Sequence, residues 1–298
     1  MPIAATDAAT SGTTSRPKIV PLSNKNIFSS SENISSSLNL DENDHCLNIM
    51  PLFHIHGLIA VLASSMKVGA SVCASSGFNA LKFLDLAKSE KITWYSGVPT
   101  MHQAILMRAD KNLEIAKNLK LRFLRSSSAS LPPAVFEKLN KTFECPVIEA
   151  YGMTEATHQM TSNPLPPKKQ KPGFVGIPAG PDVCIMDEKG KHLEKGVEGE
   201  VCIKGLNVTL GYENNPEANK SSFVNGWFRT GDQGYFDDDA DCDLPLLANF
   251  FSKNSWQCLY VLDSFSIHFN AVVDEEMLEA AHAVSHPDVL FFSCASGR

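Results

Sequence analysis

Short β-rich runs alternate with helix-like spacings of apolar residues between residues 46 and 148, and no other feature limits the fold so strongly. The runs at 92–95 and 121–124 are each followed by a segment whose apolar residues lie three and four positions apart. Strands that alternate with helices pair in parallel, so the sequence predicts an α/β domain with a mostly parallel sheet. Ligands of such sheets bind beyond the carboxyl ends of the strands. We expect the polar segments 126–130 and 149–155 to lie at such ends.

The pattern changes from residue 176 onward. Two short strands are predicted at 183–186 and 200–203, and turns rich in Gly and Lys separate them. This is typical of a small β-subdomain. We therefore predict an α/β core at 1–175 and a β-subdomain at 176–236.

Composition excludes several classes of protein. The 298 residues carry a formal net charge of −7, whereas a nucleic-acid-binding protein shows basic clustering. The first residues contain no basic segment followed by an apolar core, and no apolar run is long enough to span a bilayer. We expect no nucleic-acid partner, no membrane association and a cytoplasmic location.

Residues 10–18 read Thr-Ser-Gly-Thr-Thr-Ser-Arg-Pro-Lys and have the composition of a phosphate-binding loop. Gly12 allows positive φ, so that backbone N–H groups can face an anion, and the hydroxyls and Lys18 add donors and charge. No Gly-Lys-Ser/Thr follows at the spacing of a P-loop. The alternative is a polar, disordered N-terminal tail.

Two later segments carry further candidate residues. After a predicted strand, Tyr151 offers a flat face for a base, and Thr154 and Glu155 can hold a phosphate and its Mg²⁺. The alternative there is an ordinary strand-to-loop junction with a core tyrosine. The third segment, 227–232, ends in Gly-Asp, a pair that usually belongs to a turn.

In this order the three segments resemble the signatures of the adenylate-forming enzymes, which include acyl-CoA synthetases, luciferases and peptide-synthetase adenylation domains. The family motifs are T-S-G-T-T-(G/S)-x-P-K, Y-G-x-T-E and W-(F/Y)-x-T-G-D, and the resemblance covers residues 9–236. It implies part of the N-terminal domain of that fold. It also implies a ligase that joins a carboxylic acid to CoA with Mg²⁺ and ATP, through an acyl-adenylate.

The resemblance also implies roles for individual residues. Lys18, Thr154 and Glu155 are expected to be catalytic, and Glu155 is expected to hold Mg²⁺. The expected nucleotide-binding residues are Thr10, Ser11, Gly12, Thr13, Thr14, Ser15, Arg16, Pro17, Lys18, Glu149, Ala150, Tyr151, Thr154 and Asp232.

Within the family, the oxalate–CoA ligase branch is the most similar. The segments that carry this resemblance are Pro51–Gly57, Arg125–Leu131, Glu155–His158 and Ser162–Pro166, together with Ser15. Oxalate is a small dianion without a hydrocarbon part, so its pocket needs polar donors, and His and Ser supply them.

We expect His54, Ser128 and His158 to bind the acid. The alternatives are a buried structural His54, a turn residue at Ser128 and another short polar carboxylate as substrate. His54 and His56 alternate, but no third ligand at metal-like spacing follows, so we do not expect zinc.

Three departures from the family pattern are visible. The sequence begins almost at the phosphate loop, segment 237–272 replaces the family's hinge, and 273–298 resembles only a remnant of the C-terminal domain, without its lysine. We expect exposed sheet edges, covered by a partner chain or an oligomer. An inactive fragment that binds nucleotide or protein is the alternative function.

Overall fold

The computed structural model describes residues 5–10, 18–237, 247–250 and 289–292. Its largest element is an eight-stranded sheet in which the second to the sixth strand run parallel, with antiparallel strands beyond them on both sides. The predicted α/β architecture is confirmed. Across the sheet, the strands are β15 (Val289–Phe292), β4 (Ser71–Ser75), β3 (His45–Asn48), β5 (Trp94–Gly97), β6 (Phe123–Ser126), β7 (Val147–Met153), β8 (His158–Ser162) and β9 (Ile177–Pro178).

Helices pack on both faces of this sheet. Alternate residues of a strand point to opposite faces, and two apolar clusters accordingly form, one around Trp94 and Phe123 and the other around Tyr95 and Leu124. The first cluster packs against α1 (Asn24–Ser37), a π-helix (His56–Ala63) and α2 (Ser64–Lys67). The second packs against α3 (Phe83–Ser89), α4 (Pro99–Ala109), α5 (Leu113–Lys117) and α6 (Pro133–Phe143).

A second, antiparallel sheet follows in the sequence, in the region of the predicted β-subdomain. Apolar residues of this sheet, among them Val201 and Phe228, belong to the same cluster as Trp94. The boundary between the two predicted domains stays a prediction. The elements of this region are β10 (Asp182–Met186), β11 (Gly199–Lys204), α7 (Pro216–Ser222), β12 (Phe223–Val224), β13 (Trp227–Phe236) and β14 (Leu247–Phe250).

Two strands flank the predicted phosphate loop. β1 (Ala5–Thr10) pairs antiparallel with β2 (Lys18–Leu22), and Thr10 lies opposite Lys18. The loop residues between them, 11–17, lie outside the described residues. Of the segments predicted as hinge replacement and C-terminal remnant, only residue 237, β14 and β15 are described. No helix in the described ranges is both long and apolar enough to cross a membrane.

Helix α1 is fixed at its first turn. The Ser23 side chain accepts the backbone N–H of Asn26, and the Asn26 side chain accepts the backbone N–H of Ser23, so that two free donors of the first turn are satisfied. The Asn26 amide group also donates to the carbonyls of Leu206 and Val208, at 2.8 and 2.9 Å. This side chain therefore joins α1 to the segment that follows β11.

The structure corrects two details of the sequence prediction. Strand β7 continues to Met153, so Glu149 and Tyr151 lie within the strand rather than beyond it. The chain then turns at once into β8, which was not predicted. All five residues of β8 are buried although most are polar, so the strand lacks the alternation of apolar and polar residues that identifies a half-buried strand.

Candidate active site

One open cleft, with an empty volume of about 570 Å³, brings six of the predicted site residues together. Its walls are formed by the turn before the π-helix, the loop after β6 and the β7–β8 connection. His54, Ser128 and His158, the predicted acid-binding residues, all line it. Ala150, Tyr151 and Thr154 line the same cleft.

Two of the three predicted acid-binding residues have a left-handed backbone conformation. Ser128 has φ +69°, His158 has φ +94°, and the neighbouring Thr157 has φ +52°. Such conformations are uncommon for residues other than glycine, cost about 1–3 kcal/mol each and concentrate at functional sites. Surrounding contacts therefore hold these residues in place, among them the hydrogen bond from the Thr157 hydroxyl to the carbonyl of Asn207, at 2.7 Å.

A glycine permits the close approach of β7 and β8. A Cβ atom on Gly152 would lie 1.7 Å from the carbonyl oxygen of His158 and 2.5 Å from its carbonyl carbon. Both are backbone atoms, so no side-chain movement relieves the clash. Gly152 is needed at this position because His158 must lie directly across from the end of β7.

The end of the cleft that contains His54, Ser128 and His158 is called the acid end below. Its histidines are neutral at pH 7, because burial lowers the pKa of His54 and, far more, that of the fully buried His158. Ser128 Oγ lies 3.0 Å from Nδ1 of His56, a buried residue behind the cleft wall. The acid end therefore offers neutral polar groups.

The part of the cleft formed by Tyr151 and Thr154 is called the nucleotide end below, and two buried carboxylates, Asp232 and Glu155, lie beside it without lining it. Asp232, on β13 of the second sheet, is 4% exposed, and its Oδ2 accepts the hydroxyl hydrogen of Tyr151 at 2.5 Å. This contact joins the two sheets at the cleft.

Glu155 is a second buried carboxylate, 3% exposed, and its Oε1 accepts the Tyr212 hydroxyl at 2.8 Å. Lys18 Nζ lies over the Tyr212 ring, 4.6 Å from its centroid. Burial raises the pKa of Glu155, while the Tyr212 hydrogen bond and Lys18 oppose this rise.

The second oxygen of Glu155, Oε2, is buried and has no hydrogen-bond partner among the described residues. Within those residues no group of three or more His, Cys, Asp or Glu side chains forms a metal site by itself. A lone carboxylate oxygen fits Mg²⁺, which commonly takes one or two carboxylates and completes its shell with substrate phosphates and water.

Comparisons with known proteins decide the family. A model of the family "AMP-binding enzyme" matches residues 9–213. The chain belongs to the AMP-binding enzyme family. It is 53% identical over 233 residues to the oxalate–CoA ligase of Arabidopsis thaliana and 50% identical over 230 residues to that of Saccharomyces cerevisiae.

These alignments cover 77% and 76% of this chain but 45% and 42% of the two relatives. The chain thus spans less than half the length of these curated relatives. Among solved structures, the O-succinylbenzoate–CoA synthetase of Bacillus subtilis, in complex with ATP and a magnesium ion, matches with a TM-score of 0.71 and 30% identity, over 82% of this chain and 50% of that one.

Not all predicted site residues of this AMP-binding enzyme line the cleft. Glu149 is buried behind it, where Oε1 accepts the backbone N–H of Leu131 at 2.9 Å. It thereby ties β7 to the loop after β6. Burial raises the pKa of Glu149 to about 7. Thr10 lies at the end of β1, and the roles of all predicted site residues stay predictions.

Three polar residues behind the acid end were given no role from the sequence. They are His56, Ser96 and Arg125, all 0% exposed. Arg125 lies in segment 125–131, which carries part of the resemblance to the oxalate–CoA ligase branch. A single arginine beside a serine, however, indicates the start of a surface loop. The only available signal was its position directly after the β-rich run 121–124, inside a parallel strand that is buried on both faces.

Proposed function

We propose that the complete protein is an ATP-dependent acid–CoA ligase that acts on oxalate through an acyl-adenylate. The observation that carries this proposal is the single cleft that joins His54, Ser128 and His158 to Thr154 and to the Tyr151–Asp232 pair. The oxalate–CoA ligases of two organisms are about half identical to this chain, which supports oxalate as the acid.

The nucleotide is assigned to the carboxylate-bearing end. Asp232 accepts hydrogen bonds from the ribose hydroxyls, and Ala150 and Tyr151 form the surface for the adenine base. Glu149 supports this surface from behind. Residues 10–18, with Lys18 at their end, hold the phosphates.

In the first step, an oxalate oxygen attacks the α-phosphorus of ATP. The bond between the α-phosphorus and its bridging oxygen breaks, and pyrophosphate leaves. Thr154 and Lys18 position and stabilise the phosphate oxygens, which is the main form of catalysis open to such a reaction. Glu155 is the residue that would hold Mg²⁺, which neutralises phosphate charge when bound. In the second step the CoA thiolate attacks the carbonyl carbon, and AMP leaves.

The test is oxalate-dependent exchange of labelled pyrophosphate into ATP by the purified 298-residue chain, with circular dichroism as a check of folding. We expect exchange with oxalate and at most a trace with acetate or malonate. Thr154→Ala should reduce it strongly, because this residue touches the reacting phosphate. A folded chain without exchange for any acid would refute ligase chemistry in this chain and favour the inactive-fragment alternative.

A further inference from the structure

Arg125 is a buried cation without a carboxylate partner in the described part of the chain. It lies on β6 opposite Ser96 of β5, and its guanidinium contacts neutral atoms only: Ser96 Oγ at 3.4 Å, His158 Nδ1 at 3.5 Å and Gln159 Oε1 at 3.1 Å. Its Nε is buried without a partner among these residues. Burial lowers the pKa of Arg125 to about 9, so the side chain is still charged at pH 7.

An isolated charge in the interior destabilises a fold unless a counter-charge accompanies it. The described residues supply no such counter-charge to Arg125. The cleft lies one residue away, since His158 lines it and contacts Arg125 directly. An anion bound at the acid end would therefore be the missing counter-charge.

Arg125 also favours one arrangement of the hydrogen bonds around it, because its charge disfavours a proton on the side of the His56 ring that faces it. A guanidinium only donates, so Ser96 Oγ and His158 Nδ1 must both accept from it. The Ser96 hydroxyl hydrogen is then available to His56 Nε2, 2.7 Å away. With Nε2 accepting, the single proton of neutral His56 lies on Nδ1 and is donated to Ser128 Oγ at 3.0 Å.

The groups that face the cleft are placed in defined states by the same hydrogen bonds. The Ser128 oxygen accepts from His56, so its own hydrogen is left to donate. His158 accepts at Nδ1 and carries its proton on Nε2. His54 accepts the backbone N–H of His56 at Nδ1, 3.0 Å away, and therefore also carries its proton on Nε2. All three groups at the acid end are hydrogen-bond donors.

We propose that Arg125 is a specificity-determining positioning residue, which sets these donors through Ser96, His56 and His158 and supplies the charge that selects an acid whose second group is also an anion. This inference rests on the proposed function, because it assumes that the acid binds at His54, Ser128 and His158. It adds to that function a charge requirement that none of the three lining residues provides.

Oxalate and oxamate are alike in shape but differ in charge, so comparing their affinities isolates the effect of the second negative charge. Oxamate has the size of oxalate but carries a neutral amide in place of one carboxylate. We would titrate each acid into the 298-residue chain by calorimetry, with the nucleotide end filled by a non-hydrolysable ATP analogue. The wild-type chain should prefer oxalate by about 100-fold, as for a fully buried charge interaction.

Three variants test the role of Arg125. Arg125→Met should reduce the preference to a few-fold, and Arg125→Lys should restore part of it. Ser96→Ala keeps the cation and removes the relay, so it should weaken both acids by a similar factor of about ten and retain the preference. The matched control is Arg122→Met, because Arg122 lies outside the cleft and pairs with Asp44 at 2.7 Å; it should change neither affinity.

A folded Arg125→Met chain that keeps the full preference would overturn the inference. If that variant does not fold, Ser96→Ala decides, since unchanged affinities for both acids would exclude the relay. A wild-type chain that binds both acids equally, yet exchanges pyrophosphate, overturns this inference and leaves the ligase function intact. A chain that binds neither acid and shows no exchange overturns both.

Discussion

The two ends of the cleft are built from opposite chemistry. At the acid end, neutral imidazoles and a hydroxyl lie in front of the buried Arg125 cation. At the nucleotide end, Asp232 and Glu155 are buried carboxylates that accept from tyrosine hydroxyls. Donors attract a carboxylate, whereas acceptors suit ribose hydroxyls and Mg²⁺. In the proposed assignment, the donors therefore serve the acid, and the acceptors serve the ribose hydroxyls and Mg²⁺ rather than the anionic phosphates.

The largest expected effect comes from a substitution that forces β7 and β8 apart at the cleft. Gly152→Ala places a Cβ against the backbone carbonyl of His158, so we expect a loss of unfolding free energy of about 3 kcal/mol or more and no measurable exchange. Urea unfolding and the exchange assay measure this. The matched control is Gly97→Ala on β5, whose Cβ would meet only side-chain atoms, the nearest at 3.4 Å; equal losses in the two variants would contradict the argument.

The next effect concerns Glu149, whose carboxyl group ties β7 to the loop after β6 behind the cleft. The pKa of Glu149 in the folded chain is about 7, above its ordinary value of 4.5, because of burial. Because this pKa is raised, the protonated Glu149 stabilises the folded chain fully below about pH 4.5, and this contribution, about 3 kcal/mol, is lost as the pH rises through 7.

We would measure unfolding free energies of the wild-type chain and of Glu149→Gln at pH 5 and pH 8. The stability of the variant relative to the wild type should rise between these two values. A difference that is independent of pH would show that Glu149 does not titrate in this range.

A third test asks directly whether the two ends are independent. Ser128→Ala should weaken oxalate about ten-fold and leave AMP affinity unchanged, because one donor is lost at the acid end only. Asp232→Asn should do the reverse, weakening AMP about ten-fold. Calorimetric titration of each ligand alone gives the four values. If either variant weakens both ligands equally, the division of the cleft is wrong.

The smallest effect is expected at the proposed Mg²⁺ ligand. Tyr212→Phe removes the hydroxyl that donates to Glu155, so the carboxylate holds its proton more readily and competes less well for the metal. The Mg²⁺ concentration for half-maximal exchange should rise about three- to five-fold. Tyr235→Phe, whose ring packs on Phe174, serves as the control, and an identical rise there would argue against a specific role of Tyr212.

Much of the fold could be predicted because parallel strands and their helices carry strong patterns. The segment after the run 121–124 is an example: its apolar residues Phe136, Leu139 and Phe143 lie three and four positions apart, and α6 runs from Pro133 to Phe143. Strand β8 was missed because its polar residues are buried by specific pairing rather than by apolarity: Gln159, for example, is 0% exposed and contacts Arg125, Ser37 and Ala179. These partners lie far from Gln159 in the sequence, so no local pattern predicts them.

In the site, too, some residues could be predicted from the sequence and others could not. Short motifs led to His54, Ser128 and His158, and the structure places all three on one cleft. The residues behind them could not be found in this way, since the closeness of Arg125 to Ser96 depends on the register of β5 and β6. Strand register is a property of the whole sheet and is set by contacts between distant segments.

The side chain of Asn26 has a consequence for synthesis of the chain on the ribosome. Its amide donates to carbonyls at positions 206 and 208, so helix α1 leaves the ribosome long before its partner exists. At about 5–20 residues per second, the delay is roughly 10–40 s. During that time the Asn26 amide lacks its native acceptors, whereas the π-helix and α2, which also pack on α1, follow it closely in the chain.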